Sequence, residues 1–179
     1  MVKRQHLNQF STESATTLVH AFMTSRIDYC NVVFIGALKS VTGKLQRVLN
    51  ATARVVSGTR KFDHGLTQLL HADLHWLDVP ERTKYKLCMV MRRRQDGTAP
   101  QYLVAHWSPV SETASRQHLR SAASHQLTVP PHRRTTYGGR AFAVAGQSTW
   151  NSLPKRLCDP SSSSAVFACL LKTFLFSEY

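Results

Sequence analysis

The sequence predicts a mainly α chain: a bundle of amphipathic helices, then a connector holding a short β-hairpin, then a C-terminal helix. Three observations lead there. Apolar residues recur at helical spacing over several segments, Pro and Gly stand where helices start and stop, and period-two alternation is confined to Gln126 through Val129. With 179 residues and 42% hydrophobic content, the chain is long enough to bury about 70% of the surface its unfolded form would expose. One core or two small ones are feasible.

The first helix is expected from about Thr12 to Ser25, with Ser11 or Thr12 as N-cap and Glu13 in the first turn, where the helix dipole favours an anion. The second runs from Ser40 to Ser57 and is closed by Gly58. In it Val41, Leu45, Val48, Leu49, Thr52, Val55 and Val56 fall on one face, while Lys44, Arg47 and Arg54 fall together on an adjoining face. Between Asp63 and Leu77 the pattern is shorter and richer in His. Pro80 then occupies a favoured first helical position, and the helix runs to Gln95 with Asp96-Gly97 as its stop. Its centre, Leu87 to Met91, is apolar on every side, which predicts burial, and it ends in Arg92-Arg93-Arg94, cations that suit a helix C-terminus. A short helical stretch from Ala99 to Trp107 follows.

From Ser108 to Arg134 the composition turns to Ser, Thr, Pro and His, a connector in which only Gln126 to Val129 alternates like a strand. Tyr137-Gly138-Gly139-Arg140-Ala141-Phe142 then turns into an apolar run ending at Trp150, which Asn151-Ser152-Leu153-Pro154 breaks. Ser161 to Ser164 cap a last helix whose Val166, Phe167, Leu170, Leu171, Phe174 and Leu175 make a broad apolar face in need of a partner. The chain thus divides into a helical region over 1–107, a Ser/Thr/Pro-rich connector over 108–134 and a turn-helix region over 135–179.

Charge narrows the function. Lys and Arg total 23 against 10 Asp and Glu, a formal +13 that repels itself unless a polyanion or counterions neutralise it. Nucleic acid is the first partner this suggests. A membrane surface ranks below it, because the basic residues are spread along the chain without a lipidation signal, and no stretch approaches the roughly 20 apolar residues of a membrane span. Cys30, Cys88, Cys158 and Cys169 are far apart, each in an apolar or helical stretch, and read as buried structural thiols. With no apolar run from Met1 to Phe10, the expectation is an intracellular protein of nucleus or cytoplasm.

Enzymes need groups poised together, and the usual arrangements are missing from the sequence. Gly138-Gly139 lacks the Lys-Ser/Thr of a phosphate loop, no Gly-x-Ser-x-Gly elbow occurs, and the carboxylates are too scattered for two-metal chemistry. His71 and His75 have metal-ligand spacing, but Ala72 stands where a zinc protease has Glu, so His75 and Trp76 read as partly buried packing residues. Cys30 has no identifiable base and reads as a core thiol. No cofactor, metal or catalytic residue is expected. Three basic clusters remain: Lys44, Arg47, Arg54, Arg60 and Lys61; Arg92, Arg93 and Arg94; and Arg133, Arg134 and Arg140. Together with the net charge they predict contact with RNA or DNA phosphates, through backbone and shape rather than base reading.

Several strings in order carry a resemblance: Leu18-Val19-His20-Ala21-Phe22, Ser25-Arg26-Ile27-Asp28-Tyr29-Cys30-Asn31, Leu45-Gln46-Arg47-Val48 with Ala53-Arg54, and Leu74-His75-Trp76-Leu77. Ala99-Pro100-Gln101-Tyr102-Leu103, Leu119-Arg120-Ser121, Tyr137-Gly138 with Arg140-Ala141-Phe142, and Trp150-Asn151-Ser152-Leu153-Pro154 follow. The series resembles the region downstream of the reverse transcriptase domain in LINE-like (non-LTR) retrotransposon polyproteins of the jockey and chicken-repeat type, from about Phe10 to Phe176. The resemblance implies a thumb-like helical fragment of an RNA-directed DNA polymerase, without fingers, palm or endonuclease and without the polymerase aspartates. Asp78 departs from the family, which tends to have Pro there, as do Arg92-Arg93-Arg94-Gln95 and the missing zinc knuckle. Such departures fit a drifting copy. The alternatives are a remnant that docks on a polymerase domain or on itself through the C-terminal helix, and an open reading frame without selected function.

Overall fold

Helix dominates the described residues, which in this computed structural model are 12–104, 108–113, 115, 118, 122, 124–133 and 137–179. Helix α1, Thr12–Val19, continues through a wide π turn, His20–Thr24, into α2, Ser25–Asp28. Helix α3 spans Lys39–Ser57 and stops at Gly58, whose φ of 70° is the left-handed conformation that glycine adopts without a Cβ penalty. Helix α4 is a single turn, Leu66–Gln68, prolonged by a π turn over Leu69–Asp73, and α5 covers Val79–Gln95. Helix α6 is Gln101–Val104, α7 is Phe142–Asn151 and α8 is Ser164–Phe176. The side chains expected to cap α1 lie outside the described residues, as do Trp107 and the Leu119-Arg120-Ser121 string.

Two compact units make up the chain, one of residues up to Asn31 with Ala37–Arg82, the other of Val32–Gly36 with Thr83–Tyr179. In the first, Ile27, Leu49, Ala53, Leu70, Trp76 and Val79 form the buried core, and Val19, Leu45, Leu66, Leu69 and Leu74 pack against it. Polar clamps fix its geometry. Gln46 on α3 accepts from the Val79 amide at 2.8 Å and donates to Asp78 Oδ1 at 2.7 Å, so the orphan first amide of α5 is satisfied from a neighbouring helix. Arg82 donates to both carboxylate oxygens of Asp28, at 2.9 and 3.1 Å, and through Nε to the Leu77 carbonyl. Asp78 is therefore a structural residue here.

The second unit buries Leu87, Cys88 and Met91 of α5, Val144, Ala145 and Trp150 of α7, and Phe167, Leu171 and Leu175 of α8. Where α7 approaches α5, a Cβ on Gly146 would lie 2.8 Å from Met91 Sδ, so the thioether end of Met91 would have to move aside. Helix α8 begins where the Ser run predicts: Ser163 Oγ accepts from the Val166 amide. Its apolar face is used inside the unit, with Phe167 5.7 Å from the Trp150 ring.

Three expectations are corrected. The short hairpin within 108–134 is, among the described residues, a single antiparallel bridge between Pro109 and Leu127. The bridge is held by the Val110 amide on the Gln126 carbonyl and the Thr128 amide on the Ser108 carbonyl, and it goes no further past Pro109 because the chain winds into a 3-10 turn at Val110–Glu112; the outward amide and carbonyl of Leu127 go to the Asn151 side chain, each at 2.8 Å. Cys30 and Cys169 are exposed rather than buried; Cys30 sits at φ 53° in the turn after α2, at the surface. His75 is exposed as well, at φ 51°. Trp76 is buried, and the half-buried His71 lies against it, with Nδ1 3.0 Å from the Trp76 carbonyl oxygen.

Candidate nucleic-acid interface

Helix α3 is amphipathic because Leu49, Thr52, Ala53 and Val56 face the core, which leaves Lys44 and Arg47 exposed on the far edge. Arg47 Nε donates to the Gly43 carbonyl one turn back, leaving the rest of its fork toward solvent. Arg54 follows on the same edge but is half-buried, and its Nε is shielded without an acceptor. Beyond Gly58 the chain presents Arg60 and Lys61, both exposed. Among the described residues, none of these five cations is in an ion pair with a carboxylate.

The loop adds a residue that periodicity could not single out. Phe62 is 84% exposed, and the Lys61 ammonium lies 5.4 Å from its ring centroid. The sequence signal for it is slight: Phe62 stands alone in the polar stretch between Gly58 and Gly65, outside any run of apolar periodicity. A bare ring beside two cations is the arrangement on which a base stacks while phosphates meet charge.

The second cluster is not a patch. Arg92 is 1% exposed and turns inward, donating to the carbonyls of Asp159 at 2.8 Å and Pro160 at 3.2 Å, and to that of Ser162. Its Nε lies 3.0 Å from Asp96 Oδ1, a charge contact outside aligned hydrogen-bond geometry, and its guanidinium stands 5.5 Å from the Phe167 centroid. A phosphate cannot reach it. Arg94 is half-buried and donates to the Val104 carbonyl at 3.0 Å, so Arg93 alone of the three is exposed. In the third cluster Arg133 is exposed, Arg134 lies outside the described residues, and Arg140 is half-buried with Nη2 donating to the Val33 carbonyl at 2.9 Å. Arg140 borders an open cavity of about 410 Å³ walled by Val33, Ile35, Leu87 and Phe142.

Among the described residues no three His, Cys, Asp or Glu side chains converge on a metal-sized site, and no helix is long and apolar enough to cross a membrane. Burial pushes the Cys88 thiol up to about 12, with Lys84 partly opposing, and the Cys158 thiol up to about 11. Neither is a thiolate at neutral pH, and the expected result with a soluble disulfide reagent is fast labelling of Cys30 and Cys169 and protection of Cys88 and Cys158 until denaturant is added. Mass mapping of the labelled peptides checks it.

Compared with known protein families, with curated proteins and with solved structures, the chain matches none.

Proposed function

We propose that this chain holds RNA or DNA non-specifically by its backbone, through Lys44, Arg47, Arg54, Arg60 and Lys61, as a non-catalytic fragment related to LINE-like reverse transcriptases. The observation that carries the proposal is one surface of the first unit: cations along the edge of α3 and in the loop after it, none in an ion pair among the described residues, in a chain of net charge +13. Phosphates are the ligand such a surface satisfies, and release of condensed counterions supplies the affinity. The ordered strings from Leu18 to Pro154 supply the family part of the proposal, since a polymerase's downstream helices need cations for a template without needing carboxylates for metal.

Two experiments test it. If the five cations each neutralise one phosphate, log K falls with log salt at a slope of about 3.5 to 4.5; no measurable binding to mixed-sequence RNA or DNA at low salt refutes it. Phe62→Ala separates single strands from duplex. Loss of a stacking platform weakens single-strand binding by about 1–3 kcal/mol, while duplex binding, which needs no open base, stays the same. Equal losses on both would deny Phe62 a stacking role.

A further inference from the structure

The apolar arc of α3 is wider than the core covers. Leu49, Thr52, Ala53 and Val56 are buried, whereas Val41, Val48 and Val55 are 41%, 41% and 53% exposed. Those three valines stand seven residues apart, so at about 3.6 residues per turn they form one nearly straight row about 20 Å long. Lys44, Arg47 and Arg54 lie beside that row, and Arg47 and Arg54 share its seven-residue spacing. Val48, Ala51, Thr52 and Val55 floor an apolar groove of about 480 Å³ whose opposite wall is Val19 and Met23, with Arg47 on the rim. An apolar row flanked by a charged row at heptad spacing is how one helix of a coiled coil selects another.

We propose that this groove docks an amphipathic helix of a partner protein, with apolar residues on a heptad repeat and Asp or Glu flanking them. Charge complementarity selects this occupant. A second copy would bring its own Lys44, Arg47 and Arg54 against the same residues, in a chain already at +13. A phosphate backbone would meet the cations, but the Val48 and Val55 floor and the Val19 and Met23 wall offer it no donor. An acidic helix uses both rows at once. The inference does not depend on nucleic-acid binding, although the two ligands share Lys44 and Arg47 and therefore compete.

The test titrates the full chain into a fluorescein-labelled peptide of about three heptads, Leu at a and d and Glu at e and g, read by anisotropy. Saturable binding is expected. Val48→Asp, at an exposed position that leaves the core intact, weakens it by more than about tenfold. Arg47→Glu also weakens the peptide, and the same variant recovers affinity for a peptide with Lys in place of Glu. That recovery requires a folded protein. The inference is overturned if Val48→Asp binds the Glu peptide like the parent chain, or if the Lys peptide binds the parent chain as well as the Glu peptide does. Sedimentation showing a dimer that Val48→Asp dissolves would also overturn it, by making a second copy the occupant.

Discussion

Replacing Arg92 by alanine is expected to destabilise the second unit by about 3–5 kcal/mol, the range for removing one member of a buried charged network. Three carbonyls, those of Asp159, Pro160 and Ser162, lose their donor together, Asp96 loses its counter-charge, and Phe167 loses the cation over its ring. Arg92→Lys will not restore it. A single ammonium cannot address acceptors spread along the loop that a planar fork reaches at once. Denaturant unfolding of the full chain, followed by far-UV circular dichroism, measures the loss. A change within about 0.5 kcal/mol, the range of ordinary surface positions, would mean that Arg92 is a surface cation after all.

The Trp150→Ala variant should lose a comparable amount, about 3–5 kcal/mol, as large aromatic deletions in cores do. Trp150 is fully buried, stacks 5.7 Å from Phe167 and donates from Nε1 to the His125 carbonyl at 3.3 Å. With Asn151 it fixes the 125–127 segment against α7, so the deletion opens a cavity and frees a loop. Trp150→Phe separates the two effects. It keeps most of the volume and loses the indole donor, at about 1 kcal/mol. If alanine and phenylalanine cost the same in thermal unfolding, the packing role is wrong.

Features set by neighbouring residues were legible in the sequence. Gly58 ends α3, Gly97 (φ 71°) follows α5, and the Ser run caps α8, because caps and left-handed turns are decided within a few residues. The burial of Leu87, Cys88 and Met91 was legible too, from an apolar stretch with no polar face. The fate of the arginine run was not. Three adjacent cations read as one patch, but a helix sends successive side chains about 100° apart, and what draws Arg92 inward are carbonyls 67 to 70 residues further along the chain. The strand around Leu127 shrinks to one bridge because the facing segment turns into a 3-10 helix at Val110–Glu112, and the outward groups of Leu127 are taken by the distant Asn151 side chain. Of the candidate site, the α3 edge followed from periodicity. Phe62 and the uncovered valine row did not, because exposure depends on where the core of the unit stops.

The central claim is that the cations of the first unit meet phosphates, and its most direct test is the change in salt slope when Lys44, Arg47, Arg60 and Lys61 are replaced together by glutamine. Each lost phosphate contact removes about 0.7 to 0.9 from the slope of log K against log salt. The four-glutamine variant is therefore predicted to lose about 3 of the parent slope and to bind RNA and DNA far more weakly at low salt, with unchanged thermal stability. A variant that keeps the parent slope and affinity would show that the phosphates are held elsewhere, and would contradict the account.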